Sequence, residues 1–331
     1  MKNLLKHYNL LTLLFVGLMT ISCSDDDDSA TNPDDLESTT IVDIALATPE
    51  LSILVEALQA ADGDLVNTLS SGDFTVLAPT NEAFETFLSG NGFESLAEVP
   101  TDVLANILLN HVITGEVRST DLVSLDSGYS TTNATNADGV NLSLYFDTSD
   151  GVVFNGVSSV TDADVEASNG VVHVVDAVIG LPTVVTFAAA NPEFQTLVSA
   201  LTREGLETDF LSVLSSSDTL APFTVFAPTN AAFGDLLAEL DFDSLESIDA
   251  DLLELVLKMH VIASANVRSG DLEEGMVAEP LAEENITFSL TPSPQITDPN
   301  GRVSNIVAVD VQAMNGVIHV VDTVIAPLLQ D

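Results

Sequence analysis

Phe74-Thr75-Val76-Leu77-Ala78-Pro79-Thr80-Asn81-Glu82-Ala83-Phe84 decides the fold, because the chain writes it twice. It returns as Phe223-Thr224-Val225-Phe226-Ala227-Pro228-Thr229-Asn230-Ala231-Ala232-Phe233, with nine of eleven positions identical, 149 residues further on. A second block, Asn169-Gly170-Val171-Val172-His173-Val174-Val175-Asp176-Ala177-Val178-Ile179, returns from Asn315-Gly316 through His319 and Asp322 to Ile325, again with nine matches of eleven. Between these blocks His111-Val112-Ile113 and Val117-Arg118-Ser119 return as His260-Val261-Ile262 and Val267-Arg268-Ser269. Three blocks in one order, twice, mean two copies of one domain. The period exceeds the ~20 to 50 residues of a solenoid repeat and suits an ordinary domain.

Each repeat begins helical. Thr48-Pro49-Glu50 predicts a capped helix start with proline in its first turn. Leu51, Leu54, Val55 and Leu58 then make one apolar face at helical spacing. Phe74 to Ala78 reads as a strand stopped by Pro79, and Thr80 or Asn81 is placed to cap the helix that carries Phe84. A further helix is expected from about Thr101, with Val103, Leu104, Ile107 and Leu108 as its buried face. The later half changes period. Val140, Leu142, Leu144 and Phe146 alternate with Asn141, Ser143 and Tyr145, which predicts a strand buried on one face only. Asn169-Gly170 and Asn315-Gly316 signal hairpins into a last strand. Helices first and strands later indicate an α+β class.

These blocks resemble the fasciclin domain. That family carries a Thr-x-x-Ala-Pro-x-Asn-x-Ala-Phe motif early and an Asn-Gly-x-x-His-x-x-Asp motif late. The first falls on Thr75, Ala78, Pro79, Asn81 and Phe84, and again on Thr224, Ala227, Pro228, Asn230 and Phe233. The second falls on Asn169, Gly170, His173 and Asp176, and on Asn315, Gly316, His319 and Asp322. Of the family's middle Tyr-His pair only His111 and His260 match; Asn110 and Met259 replace the tyrosines. The resemblance implies two tandem fasciclin-like domains, residues 39–181 and 182–331, each a β-sandwich wedge with several helices packed on it. It implies extracellular adhesion, with a cell-surface or matrix protein or a polysaccharide as partner. In animal relatives receptor binding is associated with the Tyr-His region, where both tyrosines are missing here.

Residues 1–22 read as a secretory signal, with Lys2 and Lys6 before an apolar run from Leu10 to Met19. Cys23, the only cysteine, follows Ser22 and precedes Ser24 and Asp25 to Asp28. It is expected to carry the lipid of a bacterial lipoprotein, with residues 23–38 as an acidic tether. The expected place is the outer membrane of a Gram-negative bacterium, facing outward, held by the lipid alone. Without the signal, five basic residues face 51 acidic ones, a net charge near −46 (5 − 51). Such charge repels nucleic acid and anionic surfaces.

Catalytic and metal chemistry find little support in the sequence. The histidines beyond the signal are two positions occurring twice, without cysteine or a second ligand at i+3 or i+4 on a helix. Buried structural imidazoles are therefore expected, with no catalytic set, metal or cofactor. Asp147, Asp150, Asp162 and Asp164 lack the glycine and terminal glutamate of an EF-hand loop and read as solvated. Asn133-Ala-Thr135, Asn141-Leu-Ser143 and Asn285-Ile-Thr287 match a glycosylation sequon, which in a bacterial lipoprotein reads as chance. The rival functions are a hydrolase or lyase acting on extracellular polymers, and a passive spacer. The junction Leu181-Pro182-Thr183 is too short to let the domains tumble freely. Each domain is expected to fold alone and the pair to bind through two weak contacts.

Overall fold

The computed structural model describes residues 39–328; the signal, Cys23 and the whole tether lie outside the described residues. In the first repeat the strands are β1 (Phe74–Pro79), β2 (Val112–Thr114), β3 (Ser127–Thr135), β4 (Asn141–Asp147), β5 (Val153–Phe154), β6 (Ser158–Ala167) and β7 (Gly170–Val175). They pair in that order and close into a barrel, because β7 returns parallel to β1, with Phe74 opposite Gly170 and Leu77 opposite His173. The second repeat has β8 (Phe223–Pro228), β9 (Val261–Ile262), β10 (Val277–Ala278), β11 (Ile286–Ser289), β12 (Gln295–Thr297), β13 (Val303–Ala313) and β14 (Gly316–Val321). Here β14 runs parallel to β8, but the sheet stays open between β9 and β10. The reason is local. Where the first repeat has the nine-residue β3, the second has two strand residues followed by Glu279 and Pro280. Proline has no N–H to extend a ladder. A single bond from Leu281 N–H to the Val261 carbonyl, 2.8 Å, bridges the gap.

The helices cover one side of each sheet. In the first repeat Leu51, Leu54, Phe84, Leu104 and Leu108 pack against Val76 and Val172. A second cluster fills the barrel, with Leu77, Leu144, Phe146, Phe154 and Ile179. Each such side chain contributes roughly 1.5–3 kcal/mol when fully buried.

Three local expectations change. Thr48 does not cap with its side chain; its hydroxyl donates back to the Ile44 carbonyl, and the chain enters helix Ser52–Ala60 through a 3₁₀ turn at Pro49–Leu51. Val103 is 40% exposed and lies off the buried face of helix Thr101–Leu109, which consists of Leu104, Ile107 and Leu108.

The third change is the largest. In β4 the supposedly solvent-facing Ser143 and Tyr145 are buried. The second repeat covers them. The Gln312 backbone N–H, on β13, donates to Ser143 Oγ at 2.9 Å. Tyr145 belongs to the same apolar cluster as Phe187, Phe194 and Phe233 of the second repeat. Tyr129 sits between, 5.2 Å from the Tyr145 ring and edge-on to Phe187 at 5.7 Å. Its hydroxyl accepts from Asn191 Nδ2 at 3.2 Å, and burial pushes its pKa up to about 12. At the junction itself the Met314 N–H donates to the Pro182 carbonyl. The division between apolar cores thus does not follow the division between repeats.

Candidate functional site

The twice-written residues come together as two hydrogen-bonded knots in each repeat. The first knot holds the loop after the second strand. Thr75 Oγ1 donates to the Gly115 carbonyl and accepts from the Val117 N–H, both at 2.8 Å. His173 lies on the neighbouring strand. Its Nδ1 accepts from the Asp164 N–H, so its Nε2 carries the proton and donates to the Val117 carbonyl at 2.9 Å. The Asp164 carboxylate accepts from the amide and hydroxyl of Ser119. Partial burial works against its charge, yet the Ser119 bonds hold its pKa below the usual carboxylate value. The second repeat rebuilds the knot with Thr224, His319, Asp310, Val267 and Ser269. One bond differs: His319 Nδ1 has no partner among the described residues.

The second knot ties the end of each domain to a helix. His111 Nδ1 donates to the Ile107 carbonyl and Nε2 accepts from the Ile179 N–H, each at 2.8 Å. His260 does the same with Val256 and Ile325. This is the opposite tautomer to His173. Complete burial without a charged partner lowers both pKa values from 6.5 to about 4. The consequence has a definite sign. The unfolded imidazole protonates as pH falls through 6.5, while the folded one resists until about 4. The stabilisation is therefore complete above 6.5 and is lost as pH falls toward 4, roughly 3 kcal/mol per histidine across the window. A His111→Gln variant cannot protonate there. Between pH 6.5 and 4.5 the wild type should lose roughly 2–3 kcal/mol more than this variant in denaturant titrations. Parallel pH profiles would contradict a neutral buried imidazole.

The remaining motif residues are also committed. Asn81 Oδ1 accepts from the Ile53 N–H and its Nδ2 donates to the Pro49 carbonyl; Asn230 repeats this with Thr196 and Pro192. Asn169 clasps Ile41, Leu69 and Gly72, and Asn315 clasps Val184, Leu214 and Ser216. Asp176 and Asp322 accept from the N–H groups of Ser159 and Asn305. Phe84 and Phe233 fill the cores, as do Ala78 and Ala227; Pro79 and Pro228 end their strands. At the two tyrosine-replacing positions, Asn110 is fully buried, donating to the Ile179 and Gly180 carbonyls, and Met259 is fully buried among Phe226 and Phe288.

Among the described residues no histidine ring hydrogen-bonds another histidine or a carboxylate, although the Asp164 and Asp310 side chains lie close enough to His173 and His319 to interact through charge. The four aspartates weighed for calcium do not converge: Asp164 is bound to Ser119, and Asp147 accepts from Ser149. Among the described residues no group of three His, Cys, Asp or Glu side chains is placed to hold a metal. Asp164 and Asp310 are the knot members not recognised from sequence. Their signal was there: each precedes its histidine by nine positions and faces a serine of the repeated Val-Arg-Ser block.

Three of the described basic residues are ion-paired. Arg118 pairs with Glu116 and Glu166, Lys258 with Glu254, and Arg302 with Glu239. Such pairs leave a surface field dominated by unpaired carboxylates.

The family model of the fasciclin domain matches residues 49–182 and 192–327. Protein sll1483 of Synechocystis sp. is 40% identical over 141 residues, 42% of this chain and 72% of that protein. The transforming growth factor-beta-induced protein ig-h3 of Sus scrofa is 31% identical over 265 residues, covering 77% of this chain and 35% of its own. Human periostin is 30% identical over 260 residues, 77% of this chain and 28% of its own. The chain thus spans about a third of the animal relatives' length. The structure of a FAS1 domain pair from the insect cell adhesion molecule fasciclin I aligns with 85% of this chain and 97% of that one, with 22% identity and a TM-score of 0.47.

Proposed function

Because the chain belongs to the fasciclin family, with two of its domains in tandem, we propose that it is an extracytoplasmic adhesion protein held to a membrane by lipid on Cys23. One observation carries the binding reading over a catalytic one. The polar side chains of both signature motifs are spent on backbone amides and carbonyls of their own domain, so the signature builds a scaffold. Recognition then falls to the surfaces that the scaffold displays. Among the described residues no helix is long and apolar enough to cross a membrane, which suits an anchor outside the folded part. The partner on this reading is a cell-surface or matrix protein or a polysaccharide, and a −46 mature chain disfavours polyanions (5 − 51).

The test has two arms. Cys23→Ser should move the protein from the membrane to the soluble fraction, and mass spectrometry of the wild type should find acyl chains on Cys23. Unchanged membrane retention with no lipid would sink the anchor. In the second arm, arrays of matrix proteins and polysaccharides are probed with the Cys23→Ser protein. Retention without product release supports adhesion; depolymerisation of a bound polysaccharide would replace it with the hydrolase or lyase reading.

A further inference from the structure

We infer that the first repeat alone carries a saccharide-binding groove where its barrel wall thins between β2 and β3. The inference rests on the adhesion reading and names a ligand class for it. Strands β2 and β3 share a single register pair, Ile113 with Thr132, and the ladder between β3 and β4 shifts register between Thr131 and Thr135. The strands part there, leaving an open groove of about 330 Å³. Its lining is Ile113 together with hydroxyl and amide residues: Thr114, Ser130, Thr131, Thr132, Asn133 and Asn141. None of these ionises. That points away from a site for a cation or a charged peptide.

The hydrogen-bonding capacity of the groove is only partly used. Thr114 Oγ1 donates to Asn133 Oδ1 at 2.8 Å, which fixes that amide and leaves its Nδ2 group to donate elsewhere. Asn141 Nδ2 donates to the Thr132 carbonyl, leaving its oxygen to accept. The groove therefore offers an oriented amide donor and an oriented amide acceptor. The hydroxyls of Ser130 and Thr131 beside them can rotate to play either role. A neutral sugar presents the complementary set, since each of its hydroxyls both donates and accepts. A uronate or sulfated chain would be repelled by the net negative charge of the chain. The second repeat supplies an internal contrast. Its counterpart segment is Val277-Ala278-Glu279-Pro280-Leu281, which offers one carboxylate and no hydroxyl or amide side chain.

The experiment uses the full chain as the Cys23→Ser protein. Cellohexaose, laminarihexaose, mannohexaose and galactohexaose are titrated by calorimetry, with hexagalacturonate as the anionic control. At least one neutral hexasaccharide should bind and hexagalacturonate should not. Thr131→Phe fills the groove from an exposed position; it should weaken binding at least tenfold while the melting temperature stays at the wild-type value. Asn133→Leu, which removes the free donor, should weaken it in the same direction. Binding that survives Thr131→Phe overturns the assignment, as does binding of hexagalacturonate alone. Capture of an extended Ser/Thr-rich peptide competing for the groove would overturn it in favour of strand addition at the β2–β3 gap. If no hexasaccharide binds while arrayed matrix proteins still do, the groove assignment fails and the adhesion reading stands. If neither binds, both fail.

Discussion

Gly170→Ala is expected to destabilise the first repeat by roughly 2–6 kcal/mol, combining backbone strain of ~1–3 with overpacking of ~1–3. Gly170 has φ +136°, a conformation that L side chains rarely adopt, and a β-carbon there would be driven into the Phe74 carbonyl. No side chain can yield, because the obstacle is backbone held in place: Phe74 N–H donates to the Asn169 carbonyl, and Phe74 pairs with Gly170 across the parallel ladder. The same substitution at Gly316, φ +158°, meets Phe223 and should damage the second repeat equally. Denaturant titration of each variant gives the number. A loss under 1 kcal/mol at either position would show that the parallel closure of the sheet is not what demands glycine.

Tyr145→Ala is expected to lose roughly 3–5 kcal/mol, the range for removing a buried aromatic ring, and to do so in a particular way. The ring is 2% exposed and sits in the second repeat's apolar cluster although β4 belongs to the first. Its loss should separate the repeats and split one cooperative unfolding transition into two. Tyr145→Phe keeps the ring and should keep the single transition. The corresponding claim for a fragment is that residues 39–181 alone expose Tyr129 and Tyr145, and should bind a hydrophobic dye that the intact chain does not. A wild-type calorimetric trace with two resolved transitions would remove the basis for this coupling.

Much of the fold was legible because its restraints are local. Pro79 and Pro228 stop strands, Thr80 and Thr229 cap helices through the Ala83 and Ala232 amides, and Asn-Gly marks both hairpins. Repetition supplied the rest, since identical residues at two sites must satisfy one geometry twice. His173 and His319 bond backbone groups of their own repeats, although sequence could not say which nitrogen carries the proton.

What the sequence hid has a physical reason in each case. Alternation along β4 separates two faces, and it cannot tell whether the polar-looking one meets water or another domain; Ser143 and Tyr145 each have a hydroxyl that suits both. The opening of the second sheet depends on the few residues before Pro280, too short a stretch for periodicity to register. The solvated reading of Asp164 missed its bonds because its partner, Ser119, is 45 positions away. The groove was invisible for a similar reason: Thr114 and Asn133 meet only because β2 and β3 lie side by side.

The central claim is that the two repeats act as one docked body, so that whatever they bind meets a fixed surface. The described residues contain no cysteine, which makes a distance measurement direct. Nitroxide labels at Glu85→Cys and Asp235→Cys, in a Cys23→Ser background, place one probe on an exposed helix position of each repeat. Pulsed electron–electron resonance should then give a single narrow distance distribution that persists at high salt, because the contact is apolar and backbone-bonded rather than ionic. A broad distribution, spanning the range two freely jointed domains would sample, would contradict the account.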